Sequence, residues 1–115
     1  MASRFHSLAA YQLSAALGDE IYARVSEWRH GDRLSMGVQL IRAIDSVGAN
    51  IAESAGRWHV GEKRQFFIYA RGSLYEAEHW LHRGEARRLI ETGFKERTEE
   101  IARALSGLIN QSVRS

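Results

Sequence analysis

The 115 residues carry 16 Lys and Arg against 14 Asp and Glu, a net charge of +2, with no cysteine and no proline. A chain of this length forms one domain, here 1–115, whose core needs no metal or disulfide to hold it; the lack of cysteine excludes disulfides, thiolate nucleophiles and thiolate metal sites. Fourteen of the cations are arginine, and the isoelectric point is near 9.3. Arginine suits bidentate phosphate contacts, but a GC-rich genome gives the same bias, so the charge permits nucleic-acid binding without requiring it.

The N-terminal stretch MASRFHSLAAYQLSAAL has no uninterrupted apolar region of the secretory kind, and no apolar run approaches the roughly 20 residues of a membrane span. The expectation is a soluble, cytoplasmic protein with no membrane contact. Without proline, nothing forbids long helices, and the ten glycines must mark most of the breaks.

The first helix is expected from about Ser7 to Trp28, with Leu13, Leu17, Ile21, Val25 and Trp28 on its core face and Tyr11, Gly18 and Tyr22 opposite. Arg29 to Arg33 is the first joint. A second helix follows from about Ser35 to Ala55, burying Leu40, Ile44, Val47, Ile51 and Ala55 and ending at Gly56 as a left-handed cap. The third runs from about Gly61 to Arg88 on a spine of Phe67, Ala70, Leu74, Ala77 and Leu81, whose 3-4-3-4 spacing is that of an antiparallel bundle. Thr92 and Gly93 form the last joint before a helix from Phe94 to Val113 with Thr98, Ile101, Leu105 and Leu108 inward. The fold class is all-α: an antiparallel up-down-up-down four-helix bundle.

The third helix has apolar groups on three sides. Tyr69, Ser73, Glu76 and Trp80 line one flank; Ile68 and Tyr75 line the other, between Arg64 and Arg71. Such a helix packs against more than its own bundle, so Tyr69 and Trp80 are expected at an oligomer interface; the plainer reading is that both flanks meet neighbouring helices.

Two pieces, QLIRAIDSVGANIAESAGR at Gln39 to Arg57 and FFIYARGSLYEAEHWL at Phe66 to Leu81, carry a resemblance. With the tyrosine-bearing first helix (Tyr11, Ile21, Tyr22) and the amphipathic last one, they make the chain similar to the four-helix bundle proteins first described from intervening sequences of bacterial large-subunit ribosomal RNA genes. The resemblance implies a left-handed antiparallel bundle that assembles as a ring, typically a homopentamer. Related bundles include the accessory proteins of diversity-generating retroelements, basic pentamers that work with a reverse transcriptase and bind nucleic acid; the partners so implied are other copies of the chain, RNA or DNA, and a reverse transcriptase. Here Ser54 follows Glu53 in place of the usual glycine, and Gly56 comes two residues later, so the helix is expected to extend slightly before it turns.

Three sets of polar residues are candidates for function. Arg42, Ser46, Asn50, Glu53 and Arg57 share one face of the second helix, with Glu53 four residues before Arg57 in the favoured ion-pair orientation; Arg42, Asn50 and Glu53, with Arg71 and Glu76 of the third helix, form an expected structural network that fixes register between helices or subunits. In the joint after that helix, Arg57, Lys63 and Arg64 surround Trp58, an indole able to stack on a base. His82, Arg83, Arg87 and Arg88 make a second basic cluster. The bland reading of either cluster is a solvated end offsetting a helix dipole. Glu76 to His79 is a single E-x-x-H, whereas a di-iron bundle needs two such pairs and two further glutamates. With no phosphate loop, nucleophile elbow or HExxH either, no catalytic residue, metal or cofactor is expected. The reading is a non-catalytic, self-associating protein that binds RNA or DNA through a repeated basic surface. The alternative is a protein–protein scaffold whose arginines are merely solvated.

Overall fold

The computed structural model describes residues 4–114, and side chains for 5–112. After a 3-10 turn at Arg4–Ser7 come α1 (Ala9–Ser26), a single turn α2 (His30–Asp32), a π-helical turn (Arg33–Gly37), α3 (Val38–Ala55), α4 (Val60–Ala86) and α5 (Lys95–Arg114). No strand occurs among the described residues. The four long helices form a bundle in which α3 packs on α1 and α4, and α5 on α4 and α1.

All five residues of the α4 spine are buried, and their 3-4-3-4 spacing keeps them in one stripe through 27 residues. Leu40, Ile44, Val47 and Ile51 of α3 face it, as do Leu17, Ile21 and Val25 of α1 and Ile101 and Leu105 of α5. Ala55 is exposed, and Ser54 is buried instead; its hydroxyl donates to the Ile51 carbonyl at 2.6 Å, which satisfies the polar group inside the core. Leu13 and Trp28 are only half-buried, while Ser14 and Gly18 are buried. The cause is a close approach of α1 and α3, each packing side chains against a glycine of the other. A Cβ on Gly18 would stand 3.1 Å from Asp45 Oδ1, and one on Gly48 would stand 3.3 Å from the Tyr11 ring. Near the end of α5 Ile109, not Leu108, is fully inside, and Phe94 is buried just before its start.

The second helical run starts before Ser35, because α2 and the π turn lead into α3 without a break. An i→i+5 turn accommodates one extra residue and rotates the helix beyond it. Here it buries Met36 and Gly37 against the end of α1. A Cβ at Gly37 would fall 2.7 Å from Val25 Cγ1, so no larger residue fits without displacement.

Two helix ends differ from expectation. Gly56 has φ −87°, a right-handed conformation rather than a left-handed cap. The left-handed residue is Arg88, at φ 59°. Its amide donates to the Glu85 carbonyl at 3.0 Å and the Leu89 amide to the Gly84 carbonyl at 2.9 Å, the paired bonds of a Schellman ending. Gly84 therefore does not break α4. It is buried where Ile90 folds back over it, 3.1 Å from where a Cβ would be. Gly93, at φ 112°, supplies the last turn.

Candidate nucleic-acid interface

The joint between α3 and α4 is short because Ala55 ends one helix and Val60 starts the next. Arg57 holds it together. Its guanidinium donates to Glu53 Oε1 at 2.5 Å, lies 3.9 Å from Glu62 Oε2 and stacks 4.5 Å over the Phe66 ring. A cation between two carboxylates and a ring is largely neutralised, which makes Arg57 a brace for the turn. Trp58 beside it is 89% exposed and free to stack. Lys63 and Arg64 are half-buried on the first turns of α4, and the Arg64 Nε is enclosed without a hydrogen-bond partner.

The second cluster lies at the other end of α4, about 28 Å from Arg64 to Arg83 at 1.5 Å per residue. The two basic groups do not converge within one chain. Arg87 and Arg88 are exposed and Arg83 half-buried, and none of the three forms an ion pair among the described residues. Trp28 and Arg88 line the same surface hollow, so the turn after Trp28 shares this end. It adds two exposed arginines without ion pairs, Arg29 and Arg33. The joint RHGDR is the signal for them, and only contact between the end of α1 and the end of α4 joins them to Arg88. Glu27 and Glu85 border the same hollow, so the end is basic but not uniformly so. Arg24 belongs to the framework, since it donates to Glu91 at 2.7 Å and thereby holds that carboxyl below its ordinary range.

The expected polar network is only partly connected. Asn50 donates to its own helix at the Ser46 carbonyl, 2.9 Å away. Glu76 accepts the Trp80 indole N–H at 3.1 Å, and it borders a hollow with Arg42 and Ser46 without an ion pair. Arg71 stands apart: five residues from Glu76 is 500° of rotation, about 140° around α4, so it lies on the flank of Tyr75. Tyr69 is 50% exposed, whereas Trp80 is half-buried against the core. On the other flank, Tyr75, Glu78, His82 and Glu85 of α4 and Lys95 of α5 line a hollow of about 430 Å³. Burial, then the charge of Glu99, raises the Glu78 carboxyl above its ordinary value, against a smaller lowering by Lys95. Among the described residues no group of three His, Asp or Glu side chains is placed to hold a metal, and no helix is long and apolar enough to cross a membrane.

The comparison with curated proteins gives no match. The family profile described as "23S rRNA-intervening sequence protein" matches residues 6–111, which takes in α1, α3, α4, all but the last three residues of α5, and both basic ends. The four-helix bundle and that match agree with the two motif-bearing segments, Gln39 to Arg57 and Phe66 to Leu81, and the chain belongs to the 23S rRNA-intervening sequence protein family.

Proposed function

We propose that this chain is a cytoplasmic, non-catalytic protein whose up-down-up-down bundles close into a homopentameric ring that binds RNA or DNA. The observation that carries the binding is the group of arginines at one end of the bundle, Arg29, Arg33, Arg83, Arg87 and Arg88, with no acid paired to them in their own chain among the described residues. Trp58 at the opposite end adds a stacking surface, and Lys63 and Arg64 the cations beside it. The alternation of helix direction is supported by cross-helix pairs: Gly18 lies against Ile44, and Gly48, further along α3, against Tyr11, earlier in α1. Glu20 with Arg97 and Arg24 with Glu91 give the same reversed order for α1 and the approach to α5.

One chain offers few phosphate contacts, and a ring raises affinity by repeating them at high effective concentration. The test is fluorescence anisotropy with labelled single-stranded RNA and DNA across salt concentrations. Wild type should bind at low salt with log affinity falling against log salt, at about −0.7 per phosphate engaged. Trp58→Ala should weaken binding at every salt concentration without loss of helicity. If wild type shows no binding at low salt, the scaffold reading replaces this one.

A further inference from the structure

The hollow at the arginine end lies between the end of α1 and the turn after α4, has a volume of about 620 Å³ and carries three kinds of group. Trp28, Leu89 and Ile90 give it an apolar lining. Trp28 and Leu89 are half-buried and Ile90 is buried; the indole rests with its Cε3 against Gly37, 3.6 Å from where a Cβ would be. Arg88 lines the same hollow, and Arg29 follows Trp28 directly in the chain. The third kind is carboxylate. Arg24 and Glu91 are bonded to each other at 2.7 Å. Glu27 and Glu85 form no ion pair or side-chain hydrogen bond among the described residues, although unpaired arginines stand all around them.

This arrangement sorts the parts of a nucleotide. A phosphate is repelled from the hollow by two carboxylates and attracted to the arginines on its rim. The part that suits the hollow is the base, whose flat faces stack on an indole and whose edge bears N–H donors for a carboxylate. Guanine fits best, because its N1–H and 2-amino group stand side by side and give one carboxylate two parallel hydrogen bonds, the geometry of strong charge-assisted pairs. Adenine and cytosine offer a single amino group there, and uracil sets one N–H between two carbonyls that repel the acid. Of the two acids Glu85 is half-buried and Glu27 exposed, so water competes less for Glu85.

We propose that the hollow is a base pocket that selects guanine in a single strand: the base lies against Trp28, its N1–H and 2-amino group donate to Glu85, and the phosphates on either side go to Arg88 and Arg29. The inference rests on the nucleic-acid binding proposed above and adds a base preference to it, which contacts to phosphate alone do not carry.

Fluorescence anisotropy on the full chain, with labelled oligouridine strands that differ at one central position, tests this. Guanosine at that position should bind about tenfold more tightly than uridine at the same salt, with inosine, which keeps N1–H and lacks the amino group, in between. Glu85→Gln should remove most of the guanosine preference while the uridine strand binds at least as well as to wild type, since an anion is gone; a glutamate with a purely structural role would weaken all strands together. Trp28→Leu, with helicity checked by circular dichroism, should weaken guanosine and uridine strands alike, and unchanged binding in the folded variant would remove the indole from the site. Free GMP at equal concentration should not displace the guanosine strand, because it lacks the second phosphate; displacement would make the site one for a mononucleotide. Equal binding of all strands, or a guanosine preference unchanged in Glu85→Gln, would overturn the pocket while nucleic-acid binding stands. No binding of any strand at low salt would overturn both.

Discussion

Arg88→Gly should make the protein more stable and a weaker nucleic-acid binder. Arg88 ends α4 in the left-handed region at φ 59°, where a side chain crowds the next carbonyl by about 1 to 2 kcal/mol. Glycine removes that strain but gains freedom in the unfolded chain worth about 0.4 to 1 kcal/mol. The balance is a stabilisation of about 0.5 to 1 kcal/mol, or roughly 2 to 5 °C in Tm for a domain of this size. The Schellman bonds from Arg88 and Leu89 are backbone bonds and survive the change. Arg88→Ala is the control: it removes the guanidinium but keeps the crowding, so its Tm should not rise. In single-strand binding the two variants should weaken alike, with the salt slope shallower by about 0.7 if each chain engages one phosphate fewer. Scanning calorimetry and anisotropy at fixed protein concentration measure both. A fall in Tm for Arg88→Gly would mean that the arginine stem stabilises more by lying along the hollow beside Trp28 than its backbone loses; unchanged binding in both variants would remove Arg88 from the interface.

Leu74→Ala should destabilise the bundle by about 2 to 5 kcal/mol in chemical denaturation, since Leu74 is fully buried in the α4 spine; a change near zero would mean that the core is loosely packed there. Gly37→Ala should lower stability by about 1 to 2 kcal/mol: helix propensity favours alanine by about 1, but overpacking against a β-branched Val25 opposes it by up to about 3. An increase in Tm would show that the π turn yields easily. Glu78→Gln should stabilise at neutral pH. Because the folded carboxyl titrates above its ordinary 4.5, the acid's stabilising contribution is fully present below that value and lost as pH rises through the raised one. The advantage of glutamine should therefore vanish on acidification in pH-dependent melts, and a persistent advantage at acid pH would refute the assignment.

Legibility in the sequence depends on whether a feature is periodic or pairwise. The α4 spine and the Leu40 to Ile51 stripe follow from 100° per residue, and all nine of these side chains are in the core. The brace of Arg57 on Glu53 is an i,i+4 pair and is readable for the same reason. Grouping Arg71 with Glu76 goes against that same rule. The features that periodicity misses belong to pairs of elements. Ser14 and Gly18 are inside because α1 needs small residues to approach Asp45 and Tyr11's neighbour Gly48, a requirement that exists only once α3 lies beside it. A left-handed helix end is expected at a glycine, yet it falls on Arg88 because Ile90 must fold back over Gly84. The same turn brings Arg88 to the hollow it shares with Trp28, so a run of arginines becomes one end of the bundle.

The proposed ring carries a consequence for binding. If every copy points the same way, the arginine ends form one rim of the ring and the Trp58 joints the other, separated by most of the 46 Å length of the bundle. The rims then differ in kind. At the arginine rim, Arg83, Arg87 and Arg88 have no competing acid bonded to them among the described residues; at the other, Arg57 is already held by Glu53 and Glu62. Replacing Arg83, Arg87 and Arg88 together by alanine should therefore flatten the salt dependence of single-strand binding more than replacing Arg57, Lys63 and Arg64. Each phosphate no longer engaged counts about 0.7 in slope, so the first triple should flatten it by about 2 per chain engaged and the second by clearly less. Helicity of the second triple should also fall near the joint, because Arg57 braces it. Titrations of both triples over the same salt range decide the matter: a larger flattening in the loop triple, with its fold intact, would exchange the roles of the two rims.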